Sequence, residues 1–102
     1  MSVMTITKEN FQREVVESDR PVLLDFWADW CGHCRAMAPV VDEIAQERGD
    51  IKVGKVNVDE QQELAGQFGV MGIPILVVMQ DGQETDRAVG AQPKGRVLDM
   101  LP

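Results

Sequence analysis

The stretch Val22-Leu23-Leu24-Asp25-Phe26-Trp27-Ala28 runs straight into Asp29-Trp30-Cys31-Gly32-His33-Cys34, and its reading decides the fold. Up to Ala28 it is apolar at both alternating positions, Asp25 excepted. That is the pattern of a central strand covered by helices on both sides. Pro21 releases the strand from what precedes it. Beyond the cysteines, Met37, Val40, Val41 and Ile44 keep helical spacing until Gly49 stops the run, so the pair opens a long helix and Cys31 lies at its N-terminus. Pro39 falls well inside that helix, where the missing N–H and the ring clash should bend it.

Strand and helix patterns continue to alternate outward from this core. Upstream, a short strand around Val3 to Ile6 leads to Thr7, which can cap a first helix through about Ser18 with Phe11 and Val15 at i, i+4 spacing. Downstream come a strand from Ile51 to Val58 and a short helix from Glu60 to Phe68, ending at Gly69. Met71-Gly72-Ile73-Pro74 then leads into an apolar strand, Ile75 to Met79, and Asp81-Gly82 reads as a hairpin turn into Glu84 to Val89. Pro93 suits the first turn of a closing helix through Leu101. Two antiparallel strands thus follow two parallel ones, in an α/β layered domain.

A chain of 102 residues is expected to form one domain, 1–102, around one core. Its net charge of −7 repels nucleic-acid phosphate and anionic lipid, so no nucleic acid and no membrane is expected as a partner. The start, Met1 to Asn10, lacks the basic and apolar run of a secretory signal, which makes a cytoplasmic location the expectation.

The two cysteines are too close in sequence to staple a small scaffold efficiently, and C-x-x-C in a reducing compartment serves redox chemistry or metal binding. Disulfide exchange needs a thiolate to attack and a second thiol near enough to resolve the mixed disulfide. At a reference pKa of about 8.5 only roughly 3 % of a thiol is ionised at neutral pH, whereas a pKa of about 7 ionises roughly half. The unpaired N–H groups and partial positive charge of a helix N-terminus supply such a shift at Cys31, while Cys34 lies one turn inward and more shielded. Cys31 is therefore the candidate nucleophile and Cys34 the candidate resolving thiol. A structural zinc site stays open only if a carboxylate or a second chain completes the ligands, since Cys31, Cys34 and one histidine are too few. That histidine, His33, sits between the thiols, where its cation would stabilise a thiolate and make the disulfide more oxidising. Asp25 interrupts a covered strand, so its charge is disfavoured and its pKa raised; a wet sheet edge is the alternative. Trp27 reads as packing beneath the loop, and Trp30 as a cover for the thiols that also contacts substrate.

These residues, together with Ala38-Pro39, Lys55-Val56-Asn57-Val58-Asp59, Gly72-Ile73-Pro74, Asp81-Gly82 and Val89-Gly90, closely resemble the thioredoxin family over nearly the whole chain. The resemblance implies a thioredoxin fold, a central mixed sheet flanked by helices on both faces. It implies dithiol-disulfide exchange with disulfide-containing protein substrates, recharged by a thioredoxin reductase or similar donor, with no cofactor and no metal and as a monomer. By the same resemblance Asp25 is the buried acid assisting Cys34, Lys55 its partner, and Pro74 a cis-proline facing the cysteines. Trp30, Gly32, Gly72, Ile73 and Ala91 form the substrate surface, with Ile73 offering its backbone to an extended segment. Met71 either joins that surface or packs into the core.

One departure bears on direction. The family usually carries proline where this chain has His33, and Cys-Gly-His-Cys is the pattern of protein disulfide isomerase domains. The two potentials differ by roughly 90 mV, so an intermediate potential is expected. Ile75 replaces the threonine common after the cis-proline. A disulfide oxidase or isomerase, and a non-catalytic binding module on the same surface, are the competing readings.

Overall fold

The computed structural model describes residues 2–102. Among them the strands are β1 (Met4–Thr5), β2 (Val22–Trp27), β3 (Lys52–Asn57), β4 (Ile75–Gln80) and β5 (Gln83–Val89); the helices are α1 (Gly32–Glu47), α2 (Gln62–Gln67) and α3 (Lys94–Met100). The strands form one sheet in the order β1-β3-β2-β4-β5. β2 takes the centre, as its two-sided apolar pattern requires, parallel to β3 and antiparallel to β4. β1 joins β3 in parallel, and β5 closes the other edge antiparallel to β4.

Alternation along β2 sorts its side chains into two cores. Leu23 packs with Met37, Val41 and Ile44 of α1, Val53 of β3, and Val97 and Met100 of α3. Val22, Leu24 and Phe26 point the other way, into a cluster with Ile6, Val15, Val56, Leu64 and Val77. Phe26 meets Phe68 there with ring centroids 5.1 Å apart. Asp25 shares the parity of Leu23 and therefore belongs to the α1 face. Its register partners are Lys55 on β3 and Leu76 on β4.

Two glycines answer specific geometric demands. Gly82 (φ 79°) follows Asp81 (φ 52°) in the β4–β5 turn, two left-handed residues that suit the twist of a tight hairpin. Gly54 on β3 admits Ile6, because a Cβ there would lie 2.5 Å from Ile6 Cγ1.

The first helix differs from the expected one. Thr7 does not cap it; its backbone carbonyl accepts from Asn10 and Phe11 N–H, and Asn10 Oδ1 accepts from Thr7 N–H (2.8 Å). The helix itself is a π-wound segment, Gln12–Val16, that still buries Val15. Asn10 holds the turn because it also donates to the Thr5 carbonyl, tying the segment back to β1. Pro93 stands just outside α3 as its N-cap, with extended ψ of 153°, instead of within the first turn. Pro39 is accommodated inside a helix that runs unbroken from Gly32 to Glu47.

Candidate active site

The site lies where β2 and β3 end and β4 begins, at the carboxyl edge of the parallel part of the sheet, where helix N-termini and connecting loops converge. β2 delivers the chain through Ala28, whose carbonyl accepts from Cys31 N–H. Cys31 caps α1 with an extended backbone (φ −93°, ψ 111°), and its Sγ accepts from Cys34 N–H at 3.1 Å. A sulfur takes the place of the usual capping oxygen, and a thiolate there meets an oriented N–H and the positive end of the helix dipole. The first turn of α1 holds no acidic residue to oppose it.

Cys31 and Cys34 are joined as a disulfide, with Cα atoms 5.2 Å apart. Exposure is 6 % at Cys31 and 3 % at Cys34. Gly32 and His33 are both exposed on the first turn of α1. Arg35, one residue past the pair, donates to the Asp29 carbonyl (2.8 Å) and fastens the loop to the helix.

Behind the disulfide is a cavity of about 180 Å³ lined by Asp25, Trp27, Asp29, Cys34, Arg35 and Lys55, with Ala28 and Ala38 completing its wall. That volume exceeds the share of several water molecules. Asp25 is 5 % exposed and its Oδ1 has no hydrogen-bond partner. Burial pushes its carboxyl up to about 7; the Lys55 ammonium pulls the other way, and the Asp42 carboxylate adds to the rise. Its position on a central strand rules out the wet-edge reading. Lys55 Nζ lies 5.5 Å from the centre of the Trp27 ring, whose Nε1 is also buried without a partner.

In front of the disulfide a groove of about 340 Å³ is lined by Trp30, Val58, Val70, Met71, Gly72 and Ile73. Trp30 is 68 % exposed, and its indole N–H donates to Asp59 Oδ2 at 2.9 Å. The Ile73 carbonyl oxygen comes within 3.8 Å of Cys31 Sγ, and the Ile73–Pro74 peptide bond is cis. Pro74 is buried, and its carbonyl accepts from Gly90 N–H (2.8 Å). This bond brings Ala91 near the site, exposed but outside the groove lining. Met71 stands in the open at 97 % exposure and takes no part in the core.

Sequence reasoning had assigned no role to Asp59, Arg35, Val58 or Val70. For Asp59 a local signal existed: Asn57 Oδ1 accepts from Asp59 and Glu60 N–H, the Asx turn that Asn57 favours after a strand. Among the described residues no group of three or more His, Cys, Asp or Glu side chains could hold a metal ion, and no helix is long and apolar enough to cross a membrane.

Comparison with known proteins adds to this geometry. A family model described as thioredoxin matches residues 2–102. The chain is 56 % identical to thioredoxin 1 of Nostoc sp., covering 94 % of this chain and 91 % of that protein. It is 53 % identical to thioredoxin 1 of Synechococcus elongatus over the same shares. It is also 48 % identical to the thioredoxin of Alicyclobacillus acidocaldarius, covering 98 % of this chain and 95 % of that one.

Proposed function

The chain belongs to the thioredoxin family and is a dithiol-disulfide oxidoreductase of that type; from that premise we propose that it reduces protein disulfides, with Cys31 attacking and Cys34 resolving. The observation that carries this assignment is the asymmetry of the pair. Cys31 caps the helix and lies beside the carbonyl of Ile73, a residue of the groove, while Cys34 lines the cavity that holds Asp25.

In the reduced protein the Cys31 thiolate attacks one sulfur of a substrate disulfide. A bond forms between Cys31 and that sulfur, and the other substrate sulfur leaves as a thiolate. Asp25, whose carboxyl titrates near neutrality, takes the Cys34 proton through the cavity. The Cys34 thiolate then attacks Cys31 Sγ, releases the second substrate thiolate and leaves the Cys31–Cys34 disulfide. Lys55 offsets part of the burial-driven rise and keeps Asp25 more acidic than it would otherwise be. Trp30, Gly72 and Ile73 receive an extended segment on the groove side, Pro74 fixes the turn beside Cys31, and Gly32 and Ala91 border the surface.

A reductase or similar donor recharges the disulfide, and the protein works as a single-domain cytoplasmic monomer. The one sheet that carries both cores supports the single-domain reading. Cys34→Ser tests the assignment of the thiols. It should accumulate mixed disulfides with a protein substrate such as insulin, and Cys31→Ser should accumulate none; trapping through Cys34 alone would reverse the roles. His33 favours a second reading, an oxidase or isomerase, because an exposed imidazole N–H between the thiols can stabilise the reduced thiolate form. Equilibration against glutathione buffers separates the two. A potential near the isomerases would sink the reductase assignment.

A further inference from the structure

The methionines of this chain are unevenly placed. Of six, Met37, Met79 and Met100 are 2 %, 5 % and 6 % exposed and Met4 is half-buried, whereas Met71 is 97 % exposed. Met1 lies outside the described residues. Met71 also lines the groove beside the disulfide, together with Gly72, Ile73 and Trp30. Its thioether is therefore open to small oxidants in the very place where apolar contact with a substrate is made.

We infer that Met71 is a modification site at which hydroperoxides regulate substrate docking. The sulfur lone pair of Met71 attacks the outer oxygen of the peroxide; an S–O bond forms, the O–O bond breaks, and the remaining oxygen leaves with the proton as water or an alcohol. Sulfur is oxidised and the peroxide reduced, with no other reactant needed. The product sulfoxide is polar and a strong acceptor, so a flexible apolar contact becomes a group that must stay hydrated. Cys31 and Cys34 are paired as a disulfide in this state, which leaves Met71 as the most exposed sulfur among the described residues. The chemistry of exchange is untouched, because neither thiol lines the groove that Met71 borders. The step is reversible, since methionine sulfoxide is a substrate for dedicated reductases.

This inference rests on the groove being the substrate surface. The test treats the full-length oxidised protein with hydrogen peroxide at low conversion and maps the added oxygen by peptide mass spectrometry. Met71 should gain oxygen well before Met4, Met37, Met79 and Met100; equal or earlier oxidation of those four would overturn the site. Protein carried on to full oxidation of Met71 should then show KM for insulin raised roughly fivefold, the loss expected when one apolar contact is partly forfeited. Its rate with the small aromatic disulfide 5,5′-dithiobis(2-nitrobenzoate) should not change. Met71→Leu, whatever its own starting KM, should be indifferent to peroxide. An unchanged KM after Met71 oxidation, with untreated protein active on insulin, overturns the regulation and leaves the proposed reductase standing. Untreated protein that fails to reduce insulin overturns both.

Discussion

On the outer side of the Cys31–Cys34 disulfide the groove holds Trp30, Met71 and Ile73 open to solvent, whereas on the inner side the cavity holds Asp25 among Trp27, Ala38 and Cys34. The two spaces adjoin the loop that joins β2 to α1, yet one is a groove with exposed apolar anchors and the other a recess whose wall carries the buried Asp25 carboxyl. Under the proposed mechanism, such a division would let one surface accept varied partners without disturbing the acid that serves the thiols. A single helix turn separates the two sides, since Cys31 lies beside Ile73 of the groove and Cys34 lines the cavity.

The inner side carries the largest expected effect. Asp25 is raised from 3.8 to about 7, chiefly by burial. A carboxyl raised on folding contributes stability that is fully present below the unfolded pKa and is lost as pH rises through the folded one. About three pH units at ~1.4 kcal/mol each make the loss ~4 kcal/mol. Relative to Asp25→Asn, the oxidised wild type should therefore lose about that much between pH 4 and pH 9 in denaturant titrations. A constant difference across that range would mean that the carboxylate is not desolvated, and the contrast between the two spaces would fail.

The outer side should respond differently. Trp30→Ala should raise KM for protein disulfides roughly tenfold, as loss of an exposed aromatic anchor does, while small disulfides react at the wild-type rate. Equal losses with both substrates would place Trp30 in the chemistry instead. Lys55→Met sharpens the inner side: the ammonium lowers the Asp25 pKa, so its removal should move the titration of Asp25 upward, visible as a higher inflection in the pH–rate profile. A downward shift would mean that Lys55 acts on Asp25 in some other way than by its charge. The smallest effect belongs to Asp59, which accepts the Trp30 indole N–H. Asp59→Ala should alter Trp30 fluorescence and raise KM about twofold, in keeping with the ~0.5 kcal/mol at the low end for a solvent-accessible hydrogen bond. Unchanged fluorescence would show that the bond does not hold the ring.

The inner side was largely legible in the sequence because burial leaves a local mark. A single charge in a strand apolar on both faces identifies Asp25, and its parity with Leu23 puts it on the face of α1. Cys31 and Cys34 were legible for a similar reason, since a strand that ends directly before a helix determines which sulfur caps it. The outer side was less so. Asp59 reaches Trp30 across 29 positions of sequence, and only the pairing of β2 with β3 brings them together. The π winding of Gln12–Val16 was hidden because Phe11 and Val15 keep the spacing of an ordinary helix; Asn10, bonded to both Thr5 and Thr7, sets the turn that precedes it. Met71 carries no periodic signal, so its exposure had to be seen.

The most direct test of this separation is the pH dependence of single-turnover reduction of 5,5′-dithiobis(2-nitrobenzoate) followed through the Cys34 step, in wild type and Asp25→Asn. An inflection near pH 7 in the wild type that disappears in Asp25→Asn is the result expected if Asp25 handles the Cys34 proton. The same inflection in both proteins would contradict it, and would assign the titration to some group outside the cavity.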